Sequence, residues 1–353
     1  VRALIVGAGP AGAAAAITLA RAGAPHLLVE RTRETGDALC GGFLSWRTLE
    51  TLVRLGVDPE ALSPRTISRV RLFSGSSFAE ARLPRPAKAI SRRALDTALL
   101  AAAETAGAAI ERGAIVRAVG DGIATVDGIS LSGPILLATG KHDVRGAGRP
   151  VEADPAMGLR VRMPATPALD RLVGDAVELH LFDRGYAGVA LQEDGSANVC
   201  LALRRSRLRE AGTPLDLLRA LATGPLGDRL AGLDARTPID AVANVPYGWR
   251  AAPAPFYRLG DQGAVIASLA GEGMGIALAS GIGAATAHLG GIGPPAWQRT
   301  FARRARRPVL LADVVRQLVE RPIGAAFALS ATRALPVLMQ IMARATRIGA
   351  EAP

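Results

Sequence analysis

The run Gly7-Ala8-Gly9-Pro10-Ala11-Gly12 constrains this chain more than any other feature. It follows directly on Ala3-Leu4-Ile5-Val6, which has the length and character of a buried strand, and precedes Ala13 to Arg21, whose small apolar residues suit a helix pressed onto a sheet. Leu27-Leu28-Val29 then reads as a second strand, ending at Glu30, 18 residues beyond Gly12. Each glycine has its own use. Gly7 permits the tight turn, Gly9 lets a pyrophosphate approach the backbone, and Gly12 lets helix and strand pack closely. Pro10 and Ala11 open the helix, whose free amides and positive dipole end face the phosphates. The Glu30 carboxylate, with Arg31 beside it, stands where it can accept hydrogen bonds from an adenosine ribose. These residues form a dinucleotide cradle, and by themselves they suit NAD as well as FAD.

The rest of the chain reads as further α/β structure. Apolar positions at Trp46, Leu49, Leu52, Val53 and Leu55 have helical spacing, and Ser91 caps an alanine-rich helix that stops at Gly107. Short runs at 114–119, 123–126 and 129–131, punctuated by Asp-Gly and Gly, predict a hairpin or meander, followed by a buried strand at Ile135 to Ala138. Beyond Pro150 the runs 158–163, 176–182, 186–191 and 197–203 predict a mostly antiparallel second sheet, with a leucine-rich helix near 214–222. A long helix is expected over 274–289, and 295–349 looks helical. The expected architecture is a Rossmann-like dinucleotide-binding domain (1–150 and 245–295) interwoven with an antiparallel-sheet substrate domain (151–244) and a C-terminal helical region (296–353).

Composition narrows the partners. The net charge of +11 comes from 42 basic against 31 acidic residues, and the only lysines are Lys88 and Lys141. Arginine is spread over the whole chain, and aromatics make up only 4%, so the basic, aromatic-lined surface of a nucleic-acid binder is not expected. Two arginine clusters, 204–209 and 303–307, read as solvated faces, or alternatively as contacts to an acidic carrier protein, an anionic substrate or a membrane surface. Two cysteines and four histidines give neither a disulfide framework nor metal-ligand spacing. The opening residues lack the charged, apolar, small-residue order of a signal peptide, and no uncharged apolar stretch reaches 20 residues. A cytoplasmic location is expected, with peripheral membrane association as the alternative.

Far downstream, Leu259-Gly260-Asp261-Gln262 is followed by Ala270-Gly271-Glu272-Gly273-Met274-Gly275-Ile276. Together with the glycine cradle, these segments resemble the FAD-dependent flavoproteins typified by para-hydroxybenzoate hydroxylase. The resemblance implies FAD as cofactor, with Asp261 on its ribityl or pyrophosphate region. It also places Gly271, Gly273, Met274 and Gly275 at the isoalloxazine edge, where a helix N-terminus meets the ring. Cys40-Gly41-Gly42-Phe43-Leu44-Ser45 is similar to the Cys-Gly-Gly segment of the geranylgeranyl reductase-like branch, which includes flavoproteins encoded with polyketide synthases. Ser91-Arg92-Arg93-Ala94-Leu95-Asp96 is similar to that branch's Arg-x-x-(Leu/Phe)-Asp helix start, which implies Arg92, or alternatively Arg93, near the FAD phosphates. The similarity runs in order over about residues 1–290.

The departures are specific. Ile266-Ala267-Ser268-Leu269 lacks the proline many members carry before the glycine turn. Ala138-Thr139-Gly140-Lys141-His142-Asp143 replaces the Asp-Gly motif that serves FAD and NADPH in aromatic hydroxylases, and Tyr186-Ala187-Gly188-Val189-Ala190-Leu191 keeps only the tyrosine of the reductases' Tyr-x-Trp-x-Phe-Pro motif. With no second nucleotide-binding βαβ unit, electrons are expected from transiently docked NAD(P)H or from a separate reductase. The resemblance implies an FAD-dependent oxidoreductase acting on a hydrophobic aromatic, polyketide-like or isoprenoid small molecule. Family breadth favours a monooxygenase working through a flavin C4a-hydroperoxide. The alternatives are an alkene reductase of geranylgeranyl type and a non-catalytic FAD-binding partner. No catalytic acid or base stands out; Cys40 and Tyr186 are the candidates.

Overall fold

The structure, a computed structural model, describes residues 2–348. Its first layer is a five-stranded parallel sheet in the order Tyr257–Arg258, Ile135–Leu137, Ala3–Val6, His26–Glu30, Ile110–Arg112. Alternation along the first strand builds two cores. Ala3 and Ile5 face the helices Pro10–Arg21, Arg92–Thr105 and Gly273–Leu289. Leu4 and Val6 face the three-stranded meander Val116–Val119, Ile123–Val126, Ile129–Ser132. The meander and the Ser91 cap expected from sequence are present, Ser91 accepting from the Ala94 amide; Ser45, for which no cap was expected, likewise accepts from the Thr48 amide.

The second sheet has eight strands, in the order Asp240–Val245, Ala156–Met163, Ala197–Arg204, Gly185–Leu191, Ala176–Phe182, Ile67–Ser74, Ser77–Ala89, Phe43–Leu44. It is antiparallel except where Ala176–Phe182 runs parallel to Ile67–Ser74. Three of its strands therefore come from before residue 150, so the chain enters this layer early and returns to it later. Ser77–Ala89 carries Pro84 and Pro86, which ordinarily argue against a strand. They are accommodated in a bulge, where the register jumps from Ile67–Ala87 to Arg69–Arg82. One face of the sheet packs Val161, Val199 and Leu201 against the short helices that carry Leu217 and Leu226. The other face packs Leu181, Tyr186 and Ala202 against the C-terminal helices Pro294–Val319 and Pro322–Ala334.

Helix Val337–Ala345 follows the last of these at a bend of 114°. Among the described residues no single helix is long and apolar enough to cross a membrane. Helices Pro10–Arg21 and Gly273–Leu289 cross in close contact, which brings the N-terminal cradle and the late glycine turn onto one site.

Candidate active site

The cradle glycines divide their work as their positions require. Gly7 has φ +101°, and a Cβ there would lie 2.6 Å from the Ala138 carbonyl oxygen. A Cβ on Gly12 would lie 1.8 Å from the Gly7 oxygen, so only glycine lets this helix sit so close to the strand end. These two shape the turn from behind, while Gly9, Pro10 and Ala11 line the cavity itself. Gly9 caps the helix with no side-chain bond, leaving the first-turn amides for a ligand. Glu30 is held at its strand end: Oε2 accepts from the Ala8 amide (2.9 Å) and Oε1 from the Thr32 amide (2.9 Å). Arg31 is exposed and meets His142, Nη2 to Nε2 at 2.8 Å. Burial first, then the Arg31 charge, lowers the His142 pKa, so the neutral ring accepts that bond.

The structure gives the two arginines different surroundings. Arg92 reaches the cavity wall and makes a two-pronged pair with Asp96, Nε–Oδ1 2.9 Å and Nη2–Oδ2 2.6 Å. Burial works against its charge, but Asp96 outweighs it and holds the guanidinium above its ordinary range. Arg93 points to solvent, its amide bonded to Asp37. Asp261 also lines the cavity, in a turn begun by Gly260 at φ +56°, and Lys141 Nζ stands 3.6 Å from its carboxylate. Lys141 occupies the place of the departed Asp-Gly motif and adds a cation to this part of the cavity wall.

The late glycines separate in the same way. Gly271, Gly273 and Met274 line the cavity with Gly41, Gly42 and Cys40. Gly271 has φ +62°, and a Cβ there would strike the Phe43 ring at 2.6 Å. Gly275 differs from expectation: it is not in the cavity wall, and a Cβ on it would lie 2.5 Å from Glu272 Oε1. Its smallness makes room for a buried carboxylate. Glu272 accepts from Arg347 Nη1 (2.5 Å), Ser45 Oγ (3.1 Å) and the Ile348 amide (3.1 Å). Arg347 also donates to the Gly271 and Ala270 carbonyls and lies over the Trp46 ring. The C-terminal segment thus clamps the turn that meets the cavity. Nothing local in the sequence joins Glu272 to Arg347.

A single cavity of about 520 Å³ runs from these glycines past the mixed sheet to the C-terminal helices. Its far half is lined by Val70, Leu72, Leu179, Leu181, Val315 and Met339. Tyr186 enters from the sheet, buried, and its hydroxyl hydrogen-bonds Ser268 Oγ, which Tyr247 also meets at 2.9 Å. Burial pushes the Tyr186 phenol well above its ordinary pKa and that of Tyr247 up to about 12, so both remain protonated. Ser268 stands in the stretch that lacks the usual proline, and with Tyr247 it is a site residue that sequence reasoning did not find. Cys40 and Cys200 are both free, and burial raises the Cys200 thiol to about 12. Cys40 takes part chiefly through its carbonyl, which accepts from Asn198 Nδ2 (2.9 Å) and the Cys200 thiol.

The geometry fits an adenine–flavin dinucleotide on its own terms. A Cβ on Gly41 or Gly273 would meet nothing within 4 Å, so the wall there faces open space. Helix N-termini from both ends of the sequence and the cations Arg92 and Lys141 border the same cavity. A family model described as an FAD binding domain matches residues 1–133. Digeranylgeranylglycerophospholipid reductase 1 of Methanopyrus kandleri is 31% identical over 269 residues, covering 69% of this chain and 67% of that protein. The menaquinone reductase of Mycolicibacterium smegmatis is 27% identical over 307 residues, covering 79% of this chain and 74% of its own. Among solved structures, the flavin-dependent brominase Bmp2 superposes with a TM-score of 0.78 at 15% identity, covering 97% of this chain and 92% of its own. At that identity it shares the fold.

Proposed function

Since this chain belongs to the geranylgeranyl reductase-like branch of the para-hydroxybenzoate hydroxylase superfamily and is an FAD-dependent oxidoreductase, we propose that it saturates carbon–carbon double bonds in an isoprenoid chain. The observation that carries this reading is the cavity, in which the dinucleotide cradle opens onto an aliphatic chamber whose hydroxyl cluster is Tyr186, Ser268 and Tyr247. Reduced FAD supplies a hydride when bound. The protein residues do the rest. Gly9, Arg92, Lys141 and Asp261, all in the cavity wall, would hold the phosphates and the ribityl chain. Glu30 would accept from the adenosine ribose, and the amides of Gly273 and Met274 would meet the ring end, where they would stabilise negative charge. The apolar walls hold an extended hydrocarbon and keep water out. Tyr186 Oη, protonated and backed by Ser268 and Tyr247, is placed to give the proton that completes saturation, so that one C=C bond gains one hydride and one proton. Electrons reach the site from NAD(P)H or a partner reductase.

Oxygen insertion into a hydrophobic substrate is the second reading, because the same enclosed cavity would serve it. One experiment separates the two. The FAD-loaded protein, reduced chemically without oxygen, is mixed with a geranylgeranyl lipid, and the product is weighed by mass spectrometry. A gain of two hydrogens per double bond is expected. No anaerobic product, with one oxygen atom gained once air is admitted, would replace reduction by oxygenation.

A further inference from the structure

The C-terminal helices expose apolar side chains where a water-facing surface would carry polar ones. On Pro294–Val319, Leu310, Val314 and Leu318 are exposed at four-residue spacing, and Arg303 and Arg307 continue the same face one and two turns earlier. On the next helix Ile323 is 87% and Phe327 62% exposed, and on the last Val337 and Ile341 stand out. Phe78, at the tip of the adjoining strand, is also exposed, and Arg333 Nε donates to its carbonyl. So much contiguous apolar surface marks a contact.

Two features say with what. First, charge: the carboxylates in residues 294–348 are Asp313 and Glu320, and both are taken by Arg316 at 2.7 Å. The exposed charges of these helices, Arg299, Arg303, Arg306, Arg307, Arg321 and Arg344 among them, are all arginine. Second, continuity: Leu318, Phe327 and Leu338 belong both to the exposed apolar set and to the cavity lining. An apolar face ringed by cations, with an apolar chamber opening through it, matches the boundary between the headgroups and acyl chains of an anionic bilayer.

We infer that the bent pair Pro322–Ala334 and Val337–Ala345, with the second half of Pro294–Val319, lies on an anionic lipid surface, and that the cavity opens through it between Leu318, Phe327 and Leu338. A long apolar substrate then passes from lipid to the flavin end of the cavity without crossing water. The inference names the substrate's route for the proposed reaction, but it is read without turnover and stands or falls separately.

The test is sedimentation of the FAD-loaded protein with vesicles. Binding to vesicles containing phosphatidylglycerol is expected to exceed binding to pure phosphatidylcholine vesicles at least tenfold. The combined substitution Val314→Glu, Ile323→Glu and Ile341→Glu, all outside the cavity wall, should abolish binding while leaving the flavin spectrum and unfolding temperature unchanged. Arg303→Glu with Arg307→Glu should remove the preference for anionic lipid. The inference is overturned if wild-type protein ignores both vesicles, if the triple variant binds as well as wild type, or if that variant instead converts a dimer to a monomer in sedimentation velocity.

Discussion

Arg92 and Arg93 are chemically identical neighbours with opposite surroundings, and the difference can be measured. Arg92→Ala is expected to lower FAD retention at least tenfold, read as the ratio of flavin to protein absorbance, whereas Arg93→Ala leaves it unchanged. Arg92→Ala also strands the buried Asp96 carboxylate, which adds a stability loss of about 3 kcal/mol or more. Adding Asp96→Ala should recover stability but not FAD, separating ligand contact from folding. At the other end of the cavity, Tyr186→Phe keeps the ring in its packing and removes one hydroxyl. Turnover should fall roughly 10²–10⁴-fold with FAD occupancy intact, as for loss of a proton donor. An unchanged rate would leave Tyr186 as core.

Between elements, the decisive contact is the crossing of helices Pro10–Arg21 and Gly273–Leu289. Gly281 sits at that crossing, where an added Cβ would lie 2.2 Å from the Ala11 carbonyl oxygen. Helix propensity alone would make Gly281→Ala stabilising by about 0.5–1 kcal/mol. Overpacking against backbone costs about 1–3 kcal/mol and should win, so the variant should melt lower and hold FAD less tightly, seen by thermal unfolding with and without added FAD. The second such contact is the clamp from Arg347 to Glu272. Because both groups are buried, Arg347→Ala should cost about 3–5 kcal/mol in chemical unfolding, far more than an exposed pair such as Arg85–Glu50.

For the molecule as a whole, acid stability should hinge on the mixed sheet. Burial by itself would raise the Glu178 carboxyl, but His180 and Arg229 bond it and hold it at about 2. Burial, against the pull of Glu178, also keeps His180 below its ordinary 6.5. Both folded-state values lie below the unfolded ones, so the unfolded chain takes up protons first, and stability falls as pH drops through 6.5 for His180 and from about 4.5 towards 2 for Glu178. The Glu178 share is on the order of 3 kcal/mol. Glu178→Gln should flatten the lower part of that curve while destabilising the protein at neutral pH, as Arg229 loses its partner. The N-terminal glycine turn was legible in the sequence, because a turn of this kind between a strand and a helix is dictated by contacts within about 30 residues. The Ser91 cap and the meander were legible for the same reason. Strand Ser77–Ala89 was hidden by prolines that its bulged partner accommodates, and the packing of Gly275 on Glu272, outside the cavity wall, has no local signal. The sequence by itself determined the local geometry that holds a dinucleotide. Tertiary structure alone joined Tyr186 to Ser268 and Tyr247 and set Arg347 on Glu272, since each depends on where a distant backbone places a side chain and no local period records that distance.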